Sequence, residues 1–263
     1  MESQDSYWSD LAALAWQVEL GADEATLESP IDRYTLDVKS TAPAPPAVAE
    51  ARTSPPPVPQ VHDVDAVAVA QAAADAAADL PALARAMEAF ELCDLKKGAR
   101  SFAFADGLPG ARVMIVGEAP GREEDQQGKP FVGQAGQLLN RMFAAIGLAR
   151  DAEDAAQALY ITNVLPWRPP GNRAPEVAEI AMMLPFLHRH IALANPDLVV
   201  LMGNTPCQAV LQKTGITRLR GHWTEALGRP MMPMLHPAYL LRQPAAKREA
   251  WADLLEIQAR LNT

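Results

Sequence analysis

The sequence predicts an α/β fold: a three-layer α/β/α sandwich around a four-stranded parallel sheet. Short apolar runs are each followed by glycine or a polar residue, which is typical of buried strands that end in loops. Stretches of helical length separate these runs, and strands that alternate with helices form parallel sheets covered on both faces. The chain has 263 residues, 49% of them hydrophobic, which is enough for one large domain with an appendage.

The predicted strands are apolar runs bounded by glycine, proline or polar residues. They cover residues 112–117, 159–164, 197–203 and 231–235. Helices are predicted at residues 66–92, 134–147, 176–194, 204–213 and 244–261. The first of these helical stretches is rich in alanine, which has the highest helix propensity. The second ends at Gly147, a residue type that commonly terminates helices. A proline-rich loop precedes the third.

The N-terminal third differs in composition from the rest of the chain. Residues 1–84 contain 3 Lys/Arg and 14 Asp/Glu, a net charge of −11, whereas residues 85–263 contain 20 and 18, a net charge of +2. We divide the chain into an acidic, helical segment (1–40), a proline-rich disordered linker (41–65) and the α/β/α domain (66–263). The helix predicted at residues 7–20 either docks on the main domain or binds a protein partner.

Composition also limits the class of protein. No apolar run approaches the ~20 residues that cross a bilayer, and the acidic N-terminus lacks the features of a signal peptide. We therefore expect a cytoplasmic protein with no membrane partner. Its two cysteines, Cys93 and Cys207, are expected to be free thiols. The near-neutral charge of residues 85–263 allows a basic cleft, so nucleic acid is not excluded as a partner.

The loop after the first predicted strand is the most informative segment. It reads GEAPGREEDQQGKPFVG from Gly117 to Gly133. Its glycines allow the backbone to approach a ligand closely, and Glu123, Glu124 and Asp125 place three carboxylates together. Phe131 adds an aromatic ring for stacking. This combination favours a flat, polar ring as substrate and a reaction that develops positive charge.

Polar or glycine residues also follow the other three predicted strands. Asn163 ends the second strand, Gly203 to Thr205 follow the third, and His236 follows the fourth. Ligands of open parallel sheets bind outside the carboxyl ends of the strands. We therefore expect these residues and the glycine loop to converge on one site.

Three segments carry a resemblance to a known family: GEAPGREEDQQGKPFVGQAG, TNVLPWRPPGNRAP and HPAYLLR. They resemble the signature segments of the uracil-DNA glycosylase superfamily, most closely its iron–sulfur family 4, over about residues 86–261. The resemblance implies a monofunctional, monomeric enzyme of base-excision repair at the nucleoid. Such an enzyme flips deoxyuridine out of single- or double-stranded DNA and hydrolyses its N-glycosidic bond, leaving an abasic site.

The resemblance implies three catalytic residues. Glu124 would stabilise positive charge on the sugar and orient a water, with Asp125 as its neighbour and substitute. His236 would donate a hydrogen bond to the uracil O2 as negative charge develops there. The carboxylates have a second explanation, because negative charge is favourable at a helix N-terminus. We prefer that explanation for Glu123.

The resemblance also implies how the substrate is held. Phe131 would stack on the uracil and Asn163 would read its O4 and N3–H edge, although a core phenylalanine and a strand-end turn residue are the simpler interpretations. The other substrate-binding residues would be Gly117, Glu118, Ala119 and Gly121. Those for DNA phosphates would be Gly203, Thr205, Arg242, Arg168 and Arg173, with Arg220 a further candidate. Arg168, Arg173 and Arg220 are equally explained as solvated surface charges.

The sequence departs from family 4 at the cluster ligands. Family 4 binds a [4Fe–4S] cluster through four cysteines, and these positions here hold Phe90, Cys93, Trp167 and Met183. One thiolate does not hold such a cluster, so we expect no cofactor and a hydrophobic plug in its place. Two other functions compete with the glycosylase: a DNA- or nucleotide-binding protein of the same fold that does not cut, and an unrelated nucleotide-binding module.

Overall fold

A computed structural model describes residues 65–262, and within that range six strands form one mixed sheet. The strands are β1 (Asp106–Gly107), β2 (Val113–Gly117), β3 (Leu159–Asn163), β4 (Leu198–Met202), β5 (Thr224–Ala226) and β6 (Arg229–Met234). Their order across the sheet is β1-β3-β2-β4-β6-β5. The four central strands are parallel, and the two edge strands are antiparallel to their neighbours.

The helices lie between and after these strands. In chain order they are α1 (Ala66–Asp75), α2 (Leu80–Glu88), α3 (Leu95–Gly98), α4 (Arg122–Gln127), α5 (Gln134–Ala144), α6 (Val177–Ala194), α7 (Asn204–Leu211), α8 (Ile216–Leu219), α9 (Pro237–Arg242) and α10 (Lys247–Leu261). Short 3-10 helices cover Pro170–Asn172 and Pro244–Ala246.

The predicted α/β/α sandwich is confirmed, and its parallel core consists of the four predicted strands. The sheet is larger than predicted, because β1 and β5 have only two and three residues and lack an apolar run. The short helices α3, α8 and α9 were also not predicted, and α4 was raised only as the second explanation of the carboxylates. The helix predicted at residues 7–20, the acidic segment 1–40 and nearly all of the linker 41–65 lie outside the described residues. Asp65, assigned to the linker, caps α1 by accepting hydrogen bonds from Val67 and Ala68.

Two hydrophobic layers cover the sheet because successive strand residues face opposite sides. In β2, Met114 and Val116 belong to a cluster with residues of α1, α2, α6 and α7. Val113 and Ile115 belong to a second cluster with residues of α5 and α10. The parallel strands are therefore buried on both faces, which explains their continuous apolar sequence.

Helix α6 is long and apolar enough to cross a bilayer by length and composition alone. Half of it is nevertheless buried inside the protein, where it packs on α1 and α2. Its fully buried residues include Met183 and Phe186. We interpret α6 as a core helix.

The strand register places the loops that form the site. Gly117 at the end of β2 pairs with Asn163 at the end of β3, and Met202 of β4 pairs with Met234 of β6. The Gly203 N–H extends the second pairing by donating to the Met234 carbonyl at 2.9 Å. All four parallel strands therefore end at the same edge of the sheet.

Candidate active site

A cleft of about 680 Å³ opens at the carboxyl ends of the four parallel strands. Ten of the fourteen predicted site residues line it: Glu118, Ala119, Gly121, Glu124, Phe131, Asn163, Arg173, Gly203, His236 and Arg242. The other four, Gly117, Asp125, Arg168 and Thr205, are not part of its lining. The expected convergence of distant segments is therefore present in the structure.

Gly117 allows the floor of the cleft to form. A Cβ atom at this position would lie 2.4 Å from both the Asn163 Oδ1 and the Phe131 Cε2. Only glycine leaves room for those two side chains to meet over the end of β2. The predicted importance of Gly117 thus has a steric explanation, although the residue does not face the ligand space.

Asn163 contributes an unused hydrogen-bonding group. Its side chain is 7% exposed, and its Oδ1 is buried with no hydrogen-bond partner among the described residues. A buried polar atom without a partner is unfavourable by about 1–3 kcal/mol, and a ligand N–H in the cleft would remove that penalty.

Phe131 adopts a backbone conformation that is rare for its residue type. Its φ is 54°, in the left-handed region, which costs about 1–3 kcal/mol for a residue other than glycine. Its ring is 5% exposed and lies beside the His236 imidazole, with ring centroids 5.4 Å apart and planes tilted by 29°. Surrounding contacts must hold this residue in place.

Glu124 supplies part of that support. Its Oε1 accepts hydrogen bonds from the backbone N–H groups of Val132 and Gly133, both at 2.9 Å. Its Oε2 accepts from the Gly121 N–H at 3.1 Å. The carboxylate therefore lies in the cleft wall in one fixed orientation and ties the start of α4 to the segment after Phe131.

Asp125 faces away from the cleft. Its Oδ1 accepts from the backbone N–H groups of Arg100 and Ser101 at 2.8 and 3.1 Å, which connects α4 to the segment after α3. This geometry supports an anchoring role for Asp125 in place of the catalytic role predicted from sequence. Glu123 is exposed in the first turn of α4, consistent with the preferred helix-start interpretation.

His236 is held as a neutral hydrogen-bond donor. Its Nδ1 accepts from the Ala238 N–H at 3.1 Å while the residue caps α9, which places the proton on Nε2. Burial, and to a smaller extent the positive charge of Arg242, lowers the pKa of His236 from 6.5 to about 4. The neutral imidazole then offers one N–H to the cleft.

The pKa of His236 predicts how the rate of the reaction implied by the resemblance depends on pH. Protonation removes the acceptor for Ala238, so the single-turnover rate should fall only as the pH drops through about 4. The unfolded state binds this proton near pH 6.5, so the residue's contribution to stability also falls between about pH 6.5 and 4. A rate–pH profile that turns down near 6.5 would contradict the lowered pKa.

The predicted phosphate-binding residues separate into two groups. Arg242 and Arg173 line the cleft, although Arg173 also forms a two-bond pair with Glu179 at 2.9 and 2.5 Å. Arg168 donates to the Asn172 Oδ1 at 2.7 Å and lies outside the cleft lining. The Thr205 hydroxyl donates to the Glu118 carboxylate at 2.5 Å, so its role is to orient Glu118.

Arg220, the further candidate, is paired with the buried Asp253. Its guanidinium also donates to the Glu249 carbonyl at 2.8 Å. These contacts tie the segment after α8 to α10. The structure therefore supports a packing role for Arg220.

Sequence reasoning missed several residues of the site. Asn172 and Tyr239 line the cleft, and both lie inside the segments that carried the resemblance, whereas Asn204, which also lines it, belongs to the predicted stretch Gly203 to Thr205. Arg150 does not line the cleft, but it donates to the Phe131 carbonyl at 2.6 Å. No motif surrounds Arg150, so its contact was visible only in the fold.

Comparison with known proteins agrees with this geometry. The family described as the uracil DNA glycosylase superfamily matches residues 104–255. The chain belongs to this superfamily. It is 38% identical over 174 residues to the type-4 uracil-DNA glycosylase of Archaeoglobus fulgidus, covering 63% of this chain and 84% of the relative. It is 39% identical over 153 residues to the type-4 enzyme of Thermotoga maritima, covering 57% and 77%.

Similarity to type-4 members raises the question of the [4Fe–4S] cluster that the resemblance implies. The four ligand positions hold Phe90, Cys93, Trp167 and Met183, which are all buried in one hydrophobic cluster. Burial raises the pKa of the Cys93 thiol, which opposes its use as a thiolate ligand. Phenyl and indole groups do not ligate iron, so the residues present do not fit a cluster of this kind.

Proposed function

We propose that this chain is a uracil-DNA glycosylase that binds uracil-containing DNA and hydrolyses the N-glycosidic bond, leaving an abasic site. One observation carries the proposal. Among the described residues, the cleft brings together a stacking ring, Phe131, a buried amide oxygen without a hydrogen-bond partner, on Asn163, and a neutral imidazole donor, His236. These are the groups needed to bind a flat base that has both donors and acceptors on its edge.

Uracil fits these groups edge by edge. Its N3–H can donate to the Asn163 Oδ1, and its O4 can accept from the amide nitrogen of the same side chain. Its O2 can accept from the His236 Nε2–H, while Phe131 covers one face. The base reaches this position by leaving the DNA stack.

The same arrangement supports bond cleavage. As the C1′–N1 bond breaks, its electron pair moves onto the uracil ring, and the His236 Nε2–H stabilises the charge that develops on O2. The sugar gains positive charge, which the negative charge of the Glu124 carboxylate in the cleft wall stabilises. Water then forms the new bond to C1′ and loses one proton, which balances the negative charge of the departing uracil anion. No covalent intermediate with the protein is required.

The cellular setting is part of the proposal. We infer that the enzyme acts as a monomer in the cytoplasm, in base-excision repair, on single- or double-stranded DNA. Arg242 and Arg173 line the cleft, and their positive charges support a role for them in contacting DNA phosphates. Phosphate contacts position DNA independently of its sequence. Recognition of the base is then left to the pocket.

One assay separates the glycosylase from a protein that only binds. A labelled oligonucleotide with a single uracil is incubated with the protein and then treated with alkali, which breaks the strand at abasic sites. Cleavage at the uracil supports the proposal. Binding without cleavage would favour an inactive protein of the same fold. If the protein neither binds nor cleaves the oligonucleotide, both of these functions are excluded.

We further propose that Phe90, Trp167 and Met183 replace the cluster as a hydrophobic plug. Phe90 contacts Phe186 edge to face at 5.5 Å, and Trp167 lies 5.8 Å from Phe102 between ring centroids. These contacts tie α6 and the loop after β3 to the segment between α2 and β1. Each buried side chain contributes about 1.5–3 kcal/mol to stability.

The plug predicts a colourless protein. Purified protein should lack the absorbance near 400 nm that iron–sulfur clusters give, and should contain well under one iron per chain. Metal analysis and a spectrum of anaerobically purified protein measure both. Brown protein with about four irons per chain would overturn this part of the proposal and leave the glycosylase assignment standing.

A further inference from the structure

We propose that Arg150 is a positioning residue that sets the Phe131 ring for stacking on the base. The inference rests on the proposed function, since it concerns the same cleft. Arg150 lies after α5, outside the cleft lining, and its side chain is 14% exposed. It reaches the site only through the backbone of the glycine loop.

The contacts of Arg150 define this role. One terminal nitrogen donates to the Phe131 carbonyl at 2.6 Å. The other donates to the Pro130 carbonyl at 3.2 Å and to the Asp106 carboxylate at 2.9 Å. The Nε donates to the Asn140 Oδ1 at 2.9 Å. The guanidinium thus fixes two successive carbonyls, one on each side of the Phe131 nitrogen.

Phe131 needs such a restraint because of its left-handed backbone. Arg150 holds the carbonyls of residues 130 and 131, and Glu124 holds the N–H groups of Val132 and Gly133. Each of the three peptide groups from residue 130 to residue 133 is therefore hydrogen-bonded to Arg150, to Glu124 or to both. Without the guanidinium, residue 131 is free to relax to an ordinary φ, which moves its ring away from His236.

Asp106 makes the arginine itself rigid. Its carboxylate lies on the edge strand β1, accepts from Arg150, and forms an ion pair with Lys129 at 3.1 Å. The neighbouring cations lower the pKa of Asp106 against the opposing effect of its burial. A flat guanidinium serves all these acceptors at once, whereas a lysine ammonium lacks the fork geometry to do so.

The test compares R150M and R150K with R112M. Arg112 is a matched control because it also binds a carboxylate, Asp197, and a backbone carbonyl, that of Leu261. It precedes β2, at the opposite end of the strand from the cleft. Single-turnover excision and inhibition by free uracil are measured for each variant. A double-mutant cycle pairs R150M with F131A, and NMR follows the His236 ring signals.

R150M should lower the single-turnover rate and weaken uracil inhibition by ~10-fold or more each, R150K by less, and R112M by under about twofold. In the F131A background R150M should have little further effect, because both changes act on the same ring. The His236 signals should shift in R150M and not in R112M. Additive effects in the cycle, or unchanged His236 signals, would overturn the inference.

The outcomes separate this inference from the proposed function. If the wild-type protein does not excise uracil, the proposed function fails, but the His236 signals still decide whether Arg150 sets the Phe131 ring. If R150M does not fold, R150K carries the same comparisons. If the wild-type protein is active and both variants match it in rate and uracil inhibition, the Arg150 inference alone is wrong.

Discussion

Replacing His236 with alanine should lower the single-turnover rate of uracil excision by ~10²-fold or more. The structure fixes this imidazole in the neutral form with its proton on Nε2, so it can donate to uracil before any charge has developed. The donated bond becomes stronger as O2 gains negative charge. The loss should therefore fall on the chemical step more than on DNA binding.

Two controls separate donation from structure. His236→Asn retains an acceptor that can cap α9 and bond the Ala238 N–H, so it should preserve stability in urea unfolding while losing most of the rate. His222→Ala removes an exposed histidine outside the cleft lining and should stay within about twofold of wild type. A near-wild-type rate for His236→Ala would refute the role assigned to this residue.

Glu124→Ala should also reduce the single-turnover rate by ~10²-fold or more, for two reasons that act together. The variant removes a negatively charged carboxylate from the cleft wall, where it would stabilise positive charge on the sugar. It also leaves three backbone N–H groups without their acceptor, at Gly121, Val132 and Gly133. The loop then loses the restraint that follows Phe131, so inhibition by free uracil should weaken as well.

The neighbouring carboxylates provide matched controls for Glu124. Glu123→Ala changes an exposed residue of the same helical turn and should alter the rate by less than about threefold. Asp125→Ala should lower stability by about 1–3 kcal/mol, since the Arg100 and Ser101 N–H groups lose an acceptor, while keeping most of the activity. A larger rate loss for Asp125→Ala than for Glu124→Ala would reverse our assignment of the two residues.

The sequence predicted the central sheet because burial on both faces requires long apolar runs, and runs such as 113–116 are hard to confuse with loops. The edge strands were not predictable in this way. β1 contains only Asp106 and Gly107, and it is a strand only because it lies antiparallel to β3. Helix α4 reads REEDQQ, a polar sequence whose helical form depends on the acceptors and donors around it.

The site residues that could be predicted are those at or just after the carboxyl end of a parallel strand. Asn163 and His236 are placed by the ends of β3 and β6, so topology alone brings them together. The different hydrogen-bond partners of Glu124 and Asp125 were not predictable, because they are backbone N–H groups that carry no residue-specific signal. Arg150 was missed for the same reason, since its acceptors at residues 130 and 131 are carbonyls that any sequence would provide.

The Asn163 Oδ1, which is buried and has no hydrogen-bond partner among the described residues, has a consequence for protein engineering. The unpaired Asn163 oxygen, the left-handed Phe131 and, below about pH 6.5, the buried His236 each lower the stability of the fold. Selection for thermal stability alone would favour substitutions at these three positions, since each one relieves an unfavourable feature. A more heat-resistant version of this protein should therefore be sought in the hydrophobic layers and on the surface, with these three residues held constant.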